Sequence, residues 1–296
     1  MLSNSLSYIF NALPIVSYII ILSFSLNFLL YISGRVSLTF AGIYLLGAYL
    51  TVSLGTLLSG NSFSLFLFLA ILIVVSLLGA ALSIIIYEIF ERFLKTDAHR
   101  MIATCSLLLV FSGVIKLIWG TTSVTFSAPF LKLGMTEVFG NIVPNYYFFM
   151  FGVALVLMLA LAYFLYETSW GLRFRATSLD GDRIMAQSCG VNQNLVTIIT
   201  FGISGMLASL AGGLYAPIAG ASYGIESNAL LLAVLTIIIG GVGSIQGAVL
   251  TAFIIGIAGG VTAIQIPLLE LAIPFIIACA TLMLRPYGIW GKEFKH

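Results

Sequence analysis

Long uncharged apolar blocks, separated by short charged segments, run along this chain of 296 residues. A helix that crosses the hydrocarbon core of a membrane needs about 20 apolar residues. Divided at the charged segments and at glycine- and serine-rich turns, the blocks predict nine helices, and eight spans with one re-entrant or broken segment fit nearly as well. The predicted helices cover residues 13–32, 37–58, 64–87, 101–119, 146–166, 196–217, 226–242, 245–264 and 268–284.

Composition supports a membrane protein and excludes several other classes. The chain is 61% hydrophobic and 7% charged, whereas soluble domains carry about 25% charged residues. We therefore expect an all-α polytopic membrane helix bundle, with residues 1–296 forming a single transmembrane domain in contact with the lipid bilayer. The net charge of +2 gives no reason to expect a nucleic acid as partner.

Lysine and arginine are distributed unevenly between the two sides of the predicted bundle. Only Lys132, and Lys116 near a helix end, fall on one side. Because cytoplasmic loops carry the excess of basic residues, we expect a multi-pass protein of the cell (inner) membrane with its C-terminus in the cytoplasm. The basic residues of the other side are Arg35, Arg92, Lys95, Arg100, Arg173, Arg175, Arg183, Arg285, Lys292 and Lys295.

Neither the zinc-protease motif nor the P-loop motif occurs in the sequence. It contains no HExxH and no Walker A motif, and we expect no catalytic residue, no metal, no cofactor and no ATP hydrolysis by this chain. No carboxylate falls near the middle of a predicted helix, and Glu226 and Glu270 are expected at outward-facing helix ends. Ion-coupled carriers usually keep such charges inside the membrane. An ion-coupled secondary transporter of a small polar solute therefore stays as the alternative.

Two polar loops interrupt the pattern. The outer loop, 119–145, is flanked by Trp119 and by Tyr146 and Tyr147, which we expect to lie at the membrane interface. The inner loop, at about 167–195, is predicted to contain a short amphipathic helix after Asp180 that ends before Gly190.

Glycine-rich interruptions in two opposite halves of the chain mark candidate positions for a transport path, because broken helices free backbone groups that can line a cavity. Close helix packing is the alternative, and it is the favoured interpretation for Gly256 and Gly260. The path candidates are Ser37, Thr39, Gly42, Gly47, Gly240, Gly241, Ser244 and Gln246.

Four sequence pieces, in order, resemble the permease subunits of branched-chain amino-acid (LIV-type) ABC importers. The second piece is followed by Asp180, Ala186 and Gly190, and Gly181 stands where that family tends to keep helix-forming residues. The pieces are GRVSL at 34–38 with LGAY at 46–49, GLRFRA at 171–176, ASLAGGL at 208–214 with GGVGS at 240–244, and RPYGIWG at 285–291.

The resemblance implies a membrane subunit that moves a branched-chain or other small amino acid by ATP-driven alternating access. It implies a second permease, identical or similar, two cytoplasmic ABC ATPases and an extracytoplasmic substrate-binding protein as partners. It also implies that Arg173, Arg175, Asp180, Ala186 and Gly190 lie in the loop that docks on the ATPase. For Arg173 and Arg175 contact with lipid phosphates is the alternative. Urea, short amides and sugars stay open as substrates.

Overall fold

Each of the nine predicted helices has a counterpart in the computed structural model, and the connections add three short helices and a β-hairpin. The structure describes residues 2–35, 37–59, 64–94, 96–126, 128–138, 141–178, 181, 183–241, 243–266, 269, 271–285 and 288–290. The elements are α1 (Leu2–Ser33), α2 (Thr39–Ser59), α3 (Leu65–Phe93), α4 (Asp97–Trp119), α5 (Ala128–Lys132), β1 (Met135–Val138), β2 (Asn141–Pro144), α6 (Asn145–Glu167), α7 (Ser169–Thr177), α8 (Arg183–Ser188), α9 (Gln193–Ala219), α10 (Ile225–Gly240), α11 (Ile245–Gln265) and α12 (Ala272–Leu284).

Seven of these helices are long and apolar enough to cross a membrane, namely α1, α2, α3, α4, α6, α9 and α11. The remaining apolar helices, α10 and α12, have 16 and 13 residues. At about 1.5 Å per residue, even α10 is shorter than a hydrocarbon core of about 30 Å. The chain is therefore a polytopic helical membrane protein in which two helices are too short to reach both surfaces.

The first helix, α1, lies at the centre of the bundle, where its apolar window is 83% buried. It packs against α6, α9, α10 and α11. Two glycines of α11 allow close contact: a Cβ atom on Gly256 would lie 2.7 Å from the Cα atom of Val16, and one on Gly260 would meet Ala12. The packing interpretation of Gly256 and Gly260 is thus confirmed.

A second set of close contacts joins α9 to α2 and α3. A Cβ atom on Gly47 or Gly212 would collide with the backbone of the facing helix, at Ser209 and at Tyr44 respectively. Ser83 of α3 donates its hydroxyl to the carbonyl oxygen of Phe201 at 2.6 Å. Small residues in the ASLAGGL piece of the sequence therefore serve helix packing in this part of the bundle.

Different contacts join the chain segments at the two ends of the bundle. At the end where α1 and α3 finish, called here the arginine-rich end, Glu91 accepts from Arg35 at 2.8 Å and from Arg100 at 3.2 Å. At the opposite end, the far end, Val124 pairs with Ala221 across two connections. Because successive long helices alternate between these ends, the inner loop at 167–195 falls at the arginine-rich end.

The far end contains one feature that the sequence pattern does not predict. Strands β1 and β2 form an antiparallel hairpin between α5 and α6.

The expectation for Tyr146 was wrong: its ring is fully buried, and its hydroxyl donates to the carbonyl oxygen of Leu214 at 2.7 Å. It joins α6 to α9 and does not face the membrane interface.

Candidate functional site

The inner loop begins with α7, which turns away from the end of α6. The hydroxyl oxygen of Thr168 accepts from the backbone N–H of Gly171 at 3.0 Å and so caps α7. A side chain at position 171 would collide with the carbonyl oxygens of Phe164 and Leu165. Glycine therefore permits the sharp change of direction between α6 and α7.

One aromatic residue anchors α7 to the bundle. Phe174 is fully buried, and its ring centre lies 6.0 Å from that of Phe28 in α1 and 5.5 Å from that of Phe164 in α6. The expected coupling segment is therefore attached to the central helix by a packed contact.

The two predicted arginines of this segment lie over aromatic rings. The guanidinium carbon of Arg173 is 4.7 Å from the ring centre of Trp170, and that of Arg175 is 5.4 Å from the ring centre of Tyr166. Such stacking orients a guanidinium group without neutralising its charge. A charged guanidinium group held in this way can bind either a protein surface or lipid phosphates, so both interpretations are compatible with the structure.

A tight turn separates α7 from α8. A Cβ atom on Gly181 would collide with the carbonyl oxygen of Ala176, and the Gly181 N–H donates to the Ser178 carbonyl at 3.0 Å. This contact explains why a helix-forming residue does not occupy position 181. Asp180 lies outside the described residues.

The short helix α8 is the predicted amphipathic helix. Ala186 is buried, whereas the neighbouring Ile184 and Met185 are 79% and 65% exposed. The helix ends as expected before Gly190, whose φ of +82° favours glycine. The structure therefore places an exposed apolar pair at the arginine-rich end, next to a helix that is anchored in the core.

The path candidates of the second half lie in the turn between α10 and α11. A Cβ atom on Gly240 would lie 2.7 Å from the backbone N of Ala248, and the hydroxyl of Ser244 donates to the carbonyls of Gly240 and Gly241 at 2.8 and 2.9 Å. Gln246 is exposed. The two helices thus approach each other through residues that carry little or no side chain.

Protein groups satisfy the backbone of this turn from two sides. The side-chain amide of Asn27 donates to the carbonyl of Ser244 at 2.9 Å and accepts from the N–H of Gly243 at 3.2 Å. From the other side, the N–H groups of Ile289 and Trp290 donate to the last carbonyls of α10, at 2.8 and 3.1 Å. Sequence reasoning missed Asn27, although an amide inside an apolar predicted span was a usable signal.

The path candidates of the first half have different neighbours. Ser37 and Thr39 are buried, and the Thr39 hydroxyl has no hydrogen-bond partner within the described chain. Gly42 faces Phe111 of α4, and Gly47 faces α9. In the first half of the chain, Gly42 and Gly47 therefore pack against α4 and α9. The α10–α11 turn of the second half instead packs against α1 and the C-terminal segment.

Glu226 lies at a helix end, and its side chain is buried there. Glu226 is in the first turn of α10, as predicted, but it is only 4% exposed. Its two carboxyl oxygens accept from the hydroxyl of Ser112 at 2.6 Å and from the N–H of Gly224 at 2.9 Å. The expected helix end is therefore confirmed, and the sequence does not indicate that the first turn of α10 packs beside Ser112 of α4.

Comparisons with known proteins were made for the whole chain. A probable branched-chain amino acid transport permease protein, LivH of Methanocaldococcus jannaschii, is 28% identical over 287 residues, 90% of this chain and 87% of that protein. The autoinducer 2 import system permease protein LsrC of Yersinia pseudotuberculosis is 31% identical over 163 residues, 52% of this chain and 44% of that protein.

The fold also occurs among solved structures. A chain in the structure of PsaBC from Streptococcus pneumoniae in complex with Fab superimposes with a TM-score of 0.51 and 16% identity, over 93% of this chain and 89% of that chain. The family model described as branched-chain amino acid transport system / permease component matches residues 8–282. The chain therefore belongs to this family of membrane permeases.

Proposed function

We propose that this chain forms half of the translocation path of an ABC importer for branched-chain amino acids or related small polar solutes. The observation that carries the proposal is the family match over residues 8–282. The likeness to LsrC, named for autoinducer 2, extends the candidate substrates beyond amino acids. The whole chain acts as one transmembrane domain without an active site of its own.

Partners follow from this function. Two cytoplasmic ABC ATPases supply energy, a second permease (an identical copy or a similar chain) completes the path, and an extracytoplasmic binding protein delivers the solute. The outer faces of α3, α4 and α6 are largely exposed, with 33%, 17% and 22% of their apolar windows buried, which suits contact with lipid or with the second permease. We place the arginine-rich end in the cytoplasm of the cell, with the C-terminus on that side.

The coupling segment, residues 167–195, supplies the link to the ATPase. Ile184 and Met185 form an exposed apolar pair on α8, which contacts the helix α7 that carries Arg173 and Arg175. A small apolar centre with a charged rim is typical of a separable protein interface. Phe174 connects the same segment to Phe28 in α1. ATP-driven movement of the segment is thereby transmitted to the helix around which the bundle is built, and the path opens alternately to each side.

An association experiment tests this proposal. The full chain, tagged and purified from its own cells, is expected to carry ATP hydrolysis with it, and Ile184→Asp is expected to reduce the co-purifying activity at least tenfold while membrane insertion stays normal. Met135→Asp is the matched control, because Met135 is a similarly exposed apolar residue, at 59%, on the far end. Equal ATP hydrolysis with both variants would contradict docking through α8.

A further inference from the structure

Glu226 is a carboxyl group inside the apolar part of the bundle. Its hydrogen-bond partner Ser112 lies two helical turns before Trp119, the end of α4, which corresponds to a depth of about 10 Å. Within the described chain, no lysine or arginine forms an ion pair with Glu226. An ionisable residue in such a position is costly and usually serves a function.

Two buried tyrosines belong to α2, the helix that packs against both α4 and α10. Tyr44 and Tyr49 are fully buried, and the hydroxyl of each has no hydrogen-bond partner within the described residues. The ring of Tyr44 lies 6.1 Å from that of Tyr18, and the ring of Tyr49 lies 5.4 Å from that of Trp119. The packing of α2 on α4 and α10 thus brings two buried hydroxyls with unused hydrogen-bonding capacity to the part of the bundle that holds Glu226.

The chemistry of this cluster selects a cation with several donors. Aromatic faces attract cations, a carboxylate provides the opposite charge, and tyrosine hydroxyl oxygens accept further hydrogen bonds. A primary ammonium group has three N–H donors, which match these acceptors. A solute carboxylate would be repelled by Glu226. A neutral solute would gain no attraction from the negative charge of Glu226.

We propose that Glu226, with Tyr44 and Tyr49, binds the ammonium group of the transported solute during its passage, an inference that rests on the proposed amino-acid importer. In this structure the hydroxyl of Ser112 donates to one carboxyl oxygen of Glu226. The ammonium replaces that donor when α4 moves away from α10. Glu226 is therefore the residue that favours solutes with an amino group.

The test measures binding to the full chain in nanodiscs of uncharged lipid. Trp119 reports occupancy by its fluorescence in a Trp170→Phe, Trp290→Phe background, since the chain has 3 tryptophans. The probes are isopentylamine, which has only the ammonium group, 4-methylpentanoate, which has only the carboxylate, and leucine. We expect isopentylamine and leucine, but not 4-methylpentanoate, to change the signal, and Glu226→Gln to weaken isopentylamine binding at least tenfold.

Two further variants keep the result interpretable. Glu137→Gln makes the same chemical change at an exposed far-end carboxylate and should bind as the unaltered chain does. Ser112→Ala removes the competing donor and should bind isopentylamine at least as tightly. The inference is overturned if the unaltered chain gives no response to isopentylamine, if Glu226→Gln binds it unchanged, or if 4-methylpentanoate binds equally well.

Different experimental results would reject the proposed function and this inference. Binding of isopentylamine that depends on Glu226, together with absence of leucine uptake by the complete importer, would support the ammonium site and reject the branched-chain substrate. Leucine uptake by the complete importer at an unaltered rate with Glu226→Gln would reject the site and leave the proposed function in place.

Discussion

Gly47 stands where α2 approaches α9 closely, and the absence of a side chain permits this approach. A Cβ atom there would overlap the backbone of Ser209, which cannot rotate away as a flexible side chain could. Overpacking of this kind typically costs about 1–3 kcal/mol. The sequence presents Gly47 as a path candidate, whereas its contacts assign it a packing role that does not require exposure to solute.

Gly47→Val is accordingly expected to lower the thermal unfolding temperature of the detergent-purified chain and the yield of folded protein. Gly152→Val is the control, because a Cβ atom at position 152 of α6 would meet no atom within 4 Å. Thermal unfolding followed by size-exclusion chromatography measures both. Equal unfolding temperatures for the two variants would show that α2 and α9 are not held at this distance.

Residue identities were easier to predict than residue depths. Glu226 was correctly placed at the start of a helix, but its burial depends on Ser112, which is 114 residues away in the sequence. Tyr146 likewise appears as an interface residue until α9 supplies the carbonyl of Leu214. Depth in a bundle depends on how neighbouring helices are shifted along their axes, and hydropathy along one chain contains no information about that shift.

Among the elements, the α10–α11 turn depends on a side chain from a distant helix. Asn27 of α1 provides both a donor and an acceptor to this turn, at Ser244 and Gly243. Since Phe28, its neighbour in sequence, contacts Phe174 of the coupling segment, one stretch of α1 touches both regions that the sequence singled out. We infer that movement of the coupling segment reaches the turn through this stretch.

Asn27→Ala is expected to leave one donor and one acceptor of the turn unpaired, at a cost of about 1–3 kcal/mol for each buried group, and to reduce uptake per folded molecule. Ser23→Ala is the control on the same helix, because the buried Ser23 hydroxyl donates only within α1, to the Ile20 carbonyl at 3.2 Å. Solute uptake normalised to folded protein measures the effect. Equal uptake by both variants would contradict a role of Asn27 in transmission.

Elements were predicted well where composition alone decides them. All nine predicted helices have counterparts, because an uncharged apolar segment inside a bilayer must satisfy its backbone groups internally, as a helix does. The hairpin of β1 and β2 and the separate helix α7 were not predicted. Both occur in polar connections, where capping by Thr168 and packing of Phe174 determine the structure.

At the scale of the whole molecule, the chain belongs to a family of permease components, for which we propose helices that form a path and a segment that couples to an ATPase. The proposed coupling segment lies at the arginine-rich end, and the buried Glu226 lies towards the far end. A solute entering from the far side would therefore meet Glu226 before it reaches the end at which we propose that energy is supplied.

The most direct test of the account is solute accumulation in sealed vesicles that contain this chain, with and without its ATPase partners. We predict that leucine supplied with the binding protein accumulates only when the ATPases and ATP are present, and that ion or proton gradients alone drive no uptake. Accumulation by the isolated chain under an ion gradient, without nucleotide hydrolysis, would contradict the account and identify a secondary transporter.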